Sequence, residues 1–191
     1  MKKTIIPILL ISIFLITSYA TAGGPKWKEF SSPEGHFSVL MPGKPEFKKK
    51  TDKTLIGNIG ENIYTCKTKK ITVTAEYTDL PGIAVFFGGR NGIYKKSKNA
   101  FLKSTKGKEI SFKPFKQKGY AGKELVYKTP TRFGKVRFLL VNKRLYVLQA
   151  SSTSGKSDEK NIDKYLESFK QSYKKPHKKI RRKNPHNSWK G

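Results

Sequence analysis

Two apolar runs in "KVRFLLVNKRLYVLQASS" are separated by little more than Asn142 and Lys143. Short runs joined by turn residues predict a hairpin in the middle of a sheet. Other segments agree. In "ITVTAEYTD", Ile71, Val73, Ala75 and Tyr77 alternate with Thr72, Thr74, Glu76 and Thr78, the period of two expected of a half-buried strand. Phe37, Val39 and Met41 alternate with His36, Ser38 and Leu40 between turn residues Ser31-Ser32-Pro33-Gly35 and Pro42-Gly43. "NIYTCKT", "KEISFKPF" and "GKELVYKTP" read as further strands.

The period changes twice. "NGIYKKSKNAFLKSTKG" places Ile93, Tyr94, Ser97, Ala100, Phe101 and Ser104 along one helical stripe, with Asn91 positioned to cap its start and Gly107 to end it. "SDEKNIDKYLESFKQSY" repeats Ile162, Tyr165, Leu166, Phe169 and Tyr173 at helical spacing. Ser157 is its expected cap, and Asp158 and Glu159 suit the positive end of the helix dipole. Strands, a helix, strands and a helix predict an α+β domain, an antiparallel sheet flanked by helices.

The amino end has the layout of a secretory signal: Lys2 and Lys3, an apolar run from Ile5 to Ile16, then small residues Ala20 and Ala22. The apolar run is shorter than the ~20 residues that cross a bilayer core. Cleavage after Ala22 is expected, leaving residues 23–173 as one domain and 174–191 as a basic tail. The expected destination is the periplasm or the cell exterior, with peripheral attachment to the envelope.

Charge is the unusual quantity. The chain carries 41 Lys or Arg against 13 Asp or Glu, a formal +28. Loss of Lys2 and Lys3 leaves +26, of which the tail from Lys174 holds +8 and residues 23–173 hold +18. Such a field gathers anions and says nothing of fold. Cys66 is the only cysteine, so no internal disulfide can form; within a strand it reads as a small core hydrophobe.

Several phrases together resemble a group of small exported bacterial domains with the Mog1/PsbP-like fold. They are "WKEFSSPEGHFSVLMPGKP", "YTDLP" at Tyr77 to Pro81, "GYAGKELVY" at Gly119 to Tyr127, "VRFLLVNKRLYVLQA" and "YLESFK" at Tyr165 to Lys170. The resemblance spans roughly residues 27 to 170 and implies an α/β/α sandwich without assigned enzymatic activity. It also implies action by binding larger partners, as a photosystem subunit or a small GTPase is bound in understood members. Ala121-Gly122-Lys123 stands where the group has Pro-Gly-Arg, a change expected to loosen a turn.

Catalytic signatures are absent from the sequence: there is no G-x-S-x-G, no H-E-x-x-H and no obvious carboxylate pair. Asp79, before Pro81-Gly82, reads as a turn-stabilising acid and Glu124 as an ion-pair partner. His36 stands alone, and His177 and His186 lie in the tail, so neither metal nor cofactor is expected. "FFGGRNG", at Phe86 to Gly92, lacks the phosphate-loop spacing and reads as a flexible connection between strand and helix.

The tail, "KKPHKKIRRKNPHNSWKG", is expected to be disordered when free, with Pro176 and Pro185 opposing a long helix. Lys174, Lys175, Lys178, Lys179, Arg181, Arg182, Lys183 and Trp189 are its candidate contacts for anions or a partner. The expected function is a non-catalytic exported binding module. Its partner would be an anionic envelope surface (lipid, lipopolysaccharide or another polyanion) or an acidic protein. Two alternatives are a secreted nucleic-acid binder and an accessory factor for a membrane-associated complex. No small-molecule substrate is indicated.

Overall fold

The computed structural model describes residues 26–54 and 57–172; the expected signal peptide and tail lie outside the described residues. Seven antiparallel strands form the main sheet: β3 (Glu46–Thr54), β4 (Gly57–Lys67), β5 (Ile71–Asp79), β6 (Lys108–Gln117), β7 (Tyr120–Lys128), β8 (Phe133–Val141) and β9 (Arg144–Ser152). Their spatial order is β3-β4-β5-β9-β8-β7-β6, which puts the β8–β9 hairpin inside the sheet. A small second sheet orders β1 (Lys28–Ser32), β2 (Phe37–Met41) and β10 (Lys170–Gln171) as β1-β2-β10. Helices α1 (Gly82–Thr105) and α2 (Glu159–Ser168) complete the fold, with a 3-10 turn at Gly155–Asp158 before α2.

Alternation along the strands builds one core on each face of the main sheet. Val73, Ala75 and Tyr77 of β5 join Leu139, Tyr146 and Leu148 in a cluster with β2 and with Ile162, Tyr165 and Leu166 of α2. Val136, Phe138 and Leu140, on the other face of β8, cluster with Leu125, Tyr127 and with Ile93 and Tyr94 of α1. Each of these large apolar side chains, fully buried, contributes about 1.5–3 kcal/mol. The result is an α/β/α sandwich in which β2 shares the α2 layer. The Ser168 hydroxyl, accepting from Leu40 N at 2.8 Å, ties α2 to the small sheet.

Five local expectations are corrected. Helix α1 begins at Gly82, so Phe86 to Gly88 are helical and Asn91 lies within it, in the first turn after a kink at Gly89, whose φ of 56° and ψ of 166° split α1 into two segments. Lys106, not Gly107, takes the left-handed position at its end (φ 51°), while Gly107 N donates to Leu102 O at 2.9 Å. Helix α2 stops at Ser168 because Phe169 turns extended (ψ 127°) and feeds β10. Ser157 lies in the 3-10 turn, its hydroxyl donating back to Ser154 O, and Asp158 holds the cap position without bonding the helix backbone, its Oδ1 accepting from Asn161 Nδ2 instead. Tyr173 lies outside the described residues. Finally, Ala121-Gly122-Lys123 is strand β7, not a turn: Gly122 pairs with Phe115 and Leu139.

Candidate functional site

One end of the sandwich gathers the features with a functional reading. The β8–β9 hairpin turns there through Asn142, in the left-handed region at φ 55°. The Lys143 carbonyl accepts from Leu80 N at 2.8 Å, joining the hairpin to the strand end that feeds α1. The Lys143 side chain crosses Gly82, where an added Cβ would meet Nζ at 3.4 Å. His36 turns the chain beside it (φ 52°), and its carbonyl accepts from Ser172 N at 2.8 Å. Ser172 is the last described residue, so the eight-cation tail continues from this point.

The recess at this end, about 510 Å³, is lined by His36, Asp79, Asn142, Lys143, Arg144 and Gln171 among others. Arg144 engages Asp79 through two hydrogen bonds, 2.7 and 2.6 Å, and lies 4.7 Å from the Tyr77 ring centroid. Those bonds hold the guanidinium charged well above its ordinary range. The Asp79 side chain is thus taken up by Arg144, its cross-strand partner on β9, and its charge is matched. Lys143 then leaves the recess with an excess of positive charge.

Next to Lys143, the first turns of α1 expose apolar side chains. Val85 packs toward the core, whereas Ile83 and Phe86, three residues apart on the outer face, are 54% and 83% exposed. Helix geometry forces this split, since one stripe alone can face the sheet. Arg90, just past the kink at Gly89, is also exposed. Exposed apolar groups beside a basic recess were not singled out from sequence. The run "IAVFF" carried the signal, because five apolar residues in succession cannot all face one side of a helix.

Cations cover the remainder of the domain. All 13 acids of the chain fall within residues 26–172, facing 31 Lys or Arg. Ion pairs engage many of those acids, among them Glu124 with Arg137 at 2.6 Å and Asp163 and Glu159 with Lys135 at 2.8 and 2.6 Å. At the far end of the sheet, Lys108 and Lys128 stand directly opposite each other on β6 and β7, both exposed. Like charges so placed cost stability. Cys66 is buried, and burial, with Glu46 nearby, raises its thiol pKa, as suits a core side chain rather than a nucleophile. Among the described residues, no three His, Cys, Asp or Glu groups are placed to hold a metal ion. Lys174, Lys175, Lys178, Lys179, Arg181, Arg182, Lys183 and Trp189, with His177 and His186, lie outside the described residues.

The architecture is similar to the solution structure of cyanobacterial PsbP (CyanoP) from Synechocystis sp. PCC 6803, with TM-score 0.51 over 82% of this chain and 98% of that one, at 10% identity. The fold is PsbP-like. No family model and no curated protein matches the sequence. Likeness at that identity is a likeness of architecture: the PsbP-like sandwich explains how hairpin, helix start and tail root meet, and leaves their chemistry to the residues themselves. No helix among the described residues is long and apolar enough to cross a membrane.

Proposed function

We propose that this chain is an exported, non-catalytic binding module that docks on an anionic envelope membrane. The observation that supports it is the meeting of Ile83, Phe86, Lys143 and the root of the basic tail at one end of the sandwich. Interfacial attachment needs both terms. A basic residue near an anionic leaflet contributes ~1 kcal/mol before screening, and a buried Phe or Ile about 1.5–3 kcal/mol. Tail cations supply reach and attraction; Ile83 and Phe86 supply a shallow apolar anchor. Trp189 suits the same headgroup layer.

Co-sedimentation of the mature chain with phosphatidylcholine vesicles, with and without phosphatidylglycerol, tests the proposal. Binding should require the anionic lipid, weaken as salt rises, and fall on truncation after Ser172 and in Phe86→Ser. Equal retention on neutral vesicles, or indifference to salt, would overturn it. Stronger retention on duplex DNA than on anionic vesicles would replace it with the nucleic-acid reading. The PsbP-like fold favours one neighbouring reading, an accessory factor of a membrane-associated complex with an acidic protein in place of lipid. That reading predicts vesicle binding too weak to hold the protein and capture by the complex that survives removal of the lipid.

A further inference from the structure

A second recess lies between α1 and the main sheet, on the face opposite α2. Two cross-strand rows make its floor. Lys50, Glu61, Thr78 and Leu145 are successive partners across β3, β4, β5 and β9; Lys48, Ile63, Glu76 and Val147 form the next row. Ser97, Ala100, Phe101 and Ser104 of α1 form the other wall of this open recess, whose volume is about 450 Å³. That volume suits a small organic ligand.

Two polar groups in this recess have no structural explanation. Glu76 sits in its row between Ile63 and Val147, with Phe138 next, where an apolar residue would pack and a carboxylate loses hydration; Lys48 stands at the row's edge beyond Ile63. Thr78, on the same face and only 4% exposed, buries a hydroxyl that finds no hydrogen-bond partner among the described residues. A buried polar group left unsatisfied is expensive, and its persistence calls for a partner. Within the lining, where Lys50 faces Glu61 and Glu76, the sign of the rest of the molecule is reversed. Glu61 pairs with Lys50 at 3.6 Å, which leaves the Glu76 carboxylate in excess. The other lining side chains, Phe101, Phe138, Leu145, Val147 and Leu80 foremost, are apolar.

From this juxtaposition we infer that the recess between α1 and β4–β5–β9 is a binding site for a small monoamine with an apolar body, its ammonium held by Glu76 and Glu61 and bonded to the Thr78 hydroxyl. The apolar body would lie along Phe101 and Phe138. One positive charge completes the set of two carboxylates and one Lys. Burial first, then the Glu61 charge, raises Glu76 to about 7, with Lys50 acting in the opposite direction. Of the elements packed around Glu76, β3 contributes Lys50 to the lining and Lys48 outside it, two strands away in the same row; β4 contributes Glu61, and α1 and β9 contribute no titratable side chain to the lining. Amine binding should therefore strengthen as pH rises through the Glu76 value.

The experiment is an amide-resolved NMR titration of the mature chain with 2-phenylethylamine at about pH 8, about one unit above the Glu76 value. 2-Phenylethanol and 3-phenylpropionate serve as neutral and anionic counterparts. Shifts should concentrate on α1 and on β4, β5 and β9. The alcohol and the acid should each bind at least about tenfold more weakly, as should the amine to Glu76→Gln, because a charge-assisted bond is lost. Ser97→Trp, which narrows the recess and keeps both acids, should abolish the shifts. The inference is overturned if the alcohol matches the amine, if Glu76→Gln or Ser97→Trp binds as wild type, or if no shift appears at millimolar amine. Unlike vesicle docking, the contact is short and partly buried, so moderate salt should leave it intact; failure of one reading does not carry the other with it.

Discussion

Arg144 closes on Asp79 with two parallel hydrogen bonds, Nε to Oδ1 at 2.7 Å and Nη2 to Oδ2 at 2.6 Å, and its Nη1 donates to the Glu34 carbonyl at 2.6 Å. One planar group thus joins the β9 start, the β5 end and the turn before β2. Lysine keeps the charge and cannot reproduce the fork. Because the Asp79 side chain is 62% exposed, the pair is well screened. Arg144→Lys should lower unfolding stability by about 1 kcal/mol, read as a lower urea midpoint at unchanged slope.

Glu76 gives the domain an acid preference. Its pKa is raised on folding from 4.5 to about 7, so between those values the folded state holds a proton that the unfolded chain has released. Stability contributed by this group is full below about pH 4.5, declines as pH rises through 7, and then levels off, a loss of up to roughly 3 kcal/mol. Glu76→Gln should remove that slope and make the domain more stable at pH near 8. Urea unfolding of both proteins near pH 5 and pH 8 checks it; a parallel pH response in the variant would refute the assignment.

Strand alternation made the sheet legible in the sequence, and it did so where one face of each strand is buried. Phe37, Val39 and Met41, and Ile71, Val73, Ala75 and Tyr77, all point into the core as their period demanded. Helix limits were harder to read, because the two Gly of "FFGG" suggested a loop whereas Gly88 continues the helix and Gly89 alone departs from it. Phe169 fits the α2 stripe by spacing, yet it packs on Phe37 and Tyr146 after the helix has ended, a contact set by tertiary structure. The end proposed to dock joins Lys143 with Ile83, far apart along the chain, and no local pattern announces such a meeting. Glu76 was visible only as a polar residue on the outer face of β5. That α1 would cover it depended on where the helix begins.

Gly122 shows a different constraint. A Cβ there would collide with the Phe138 carbonyl oxygen and approach Phe115 Cε1 at 2.7 Å. The carbonyl belongs to the neighbouring central strand and has no room to retreat, so the position accepts hydrogen alone. Gly122→Ala should destabilise by about 3 kcal/mol, visible in thermal unfolding. Lys123→Ala beside it, on the other face, should cost little.

Lys108 and Lys128 separate attraction by a face from attraction by the whole field. They oppose each other across β6 and β7, at the end of the sheet away from Lys143. Lys128→Glu converts repulsion into a cross-strand ion pair and should stabilise the domain by about 0.5 kcal/mol. It also removes two units of net charge, as does Lys143→Glu. If docking proceeds through the end bearing Ile83 and Phe86, Lys143→Glu should reduce retention on anionic vesicles several-fold and Lys128→Glu should barely change it. Contacts within a Debye length of ~10 Å dominate at ordinary salt, and Lys128 lies at the opposite end. Equal losses in the two variants would mean that net charge, not a particular surface, brings the protein to the membrane.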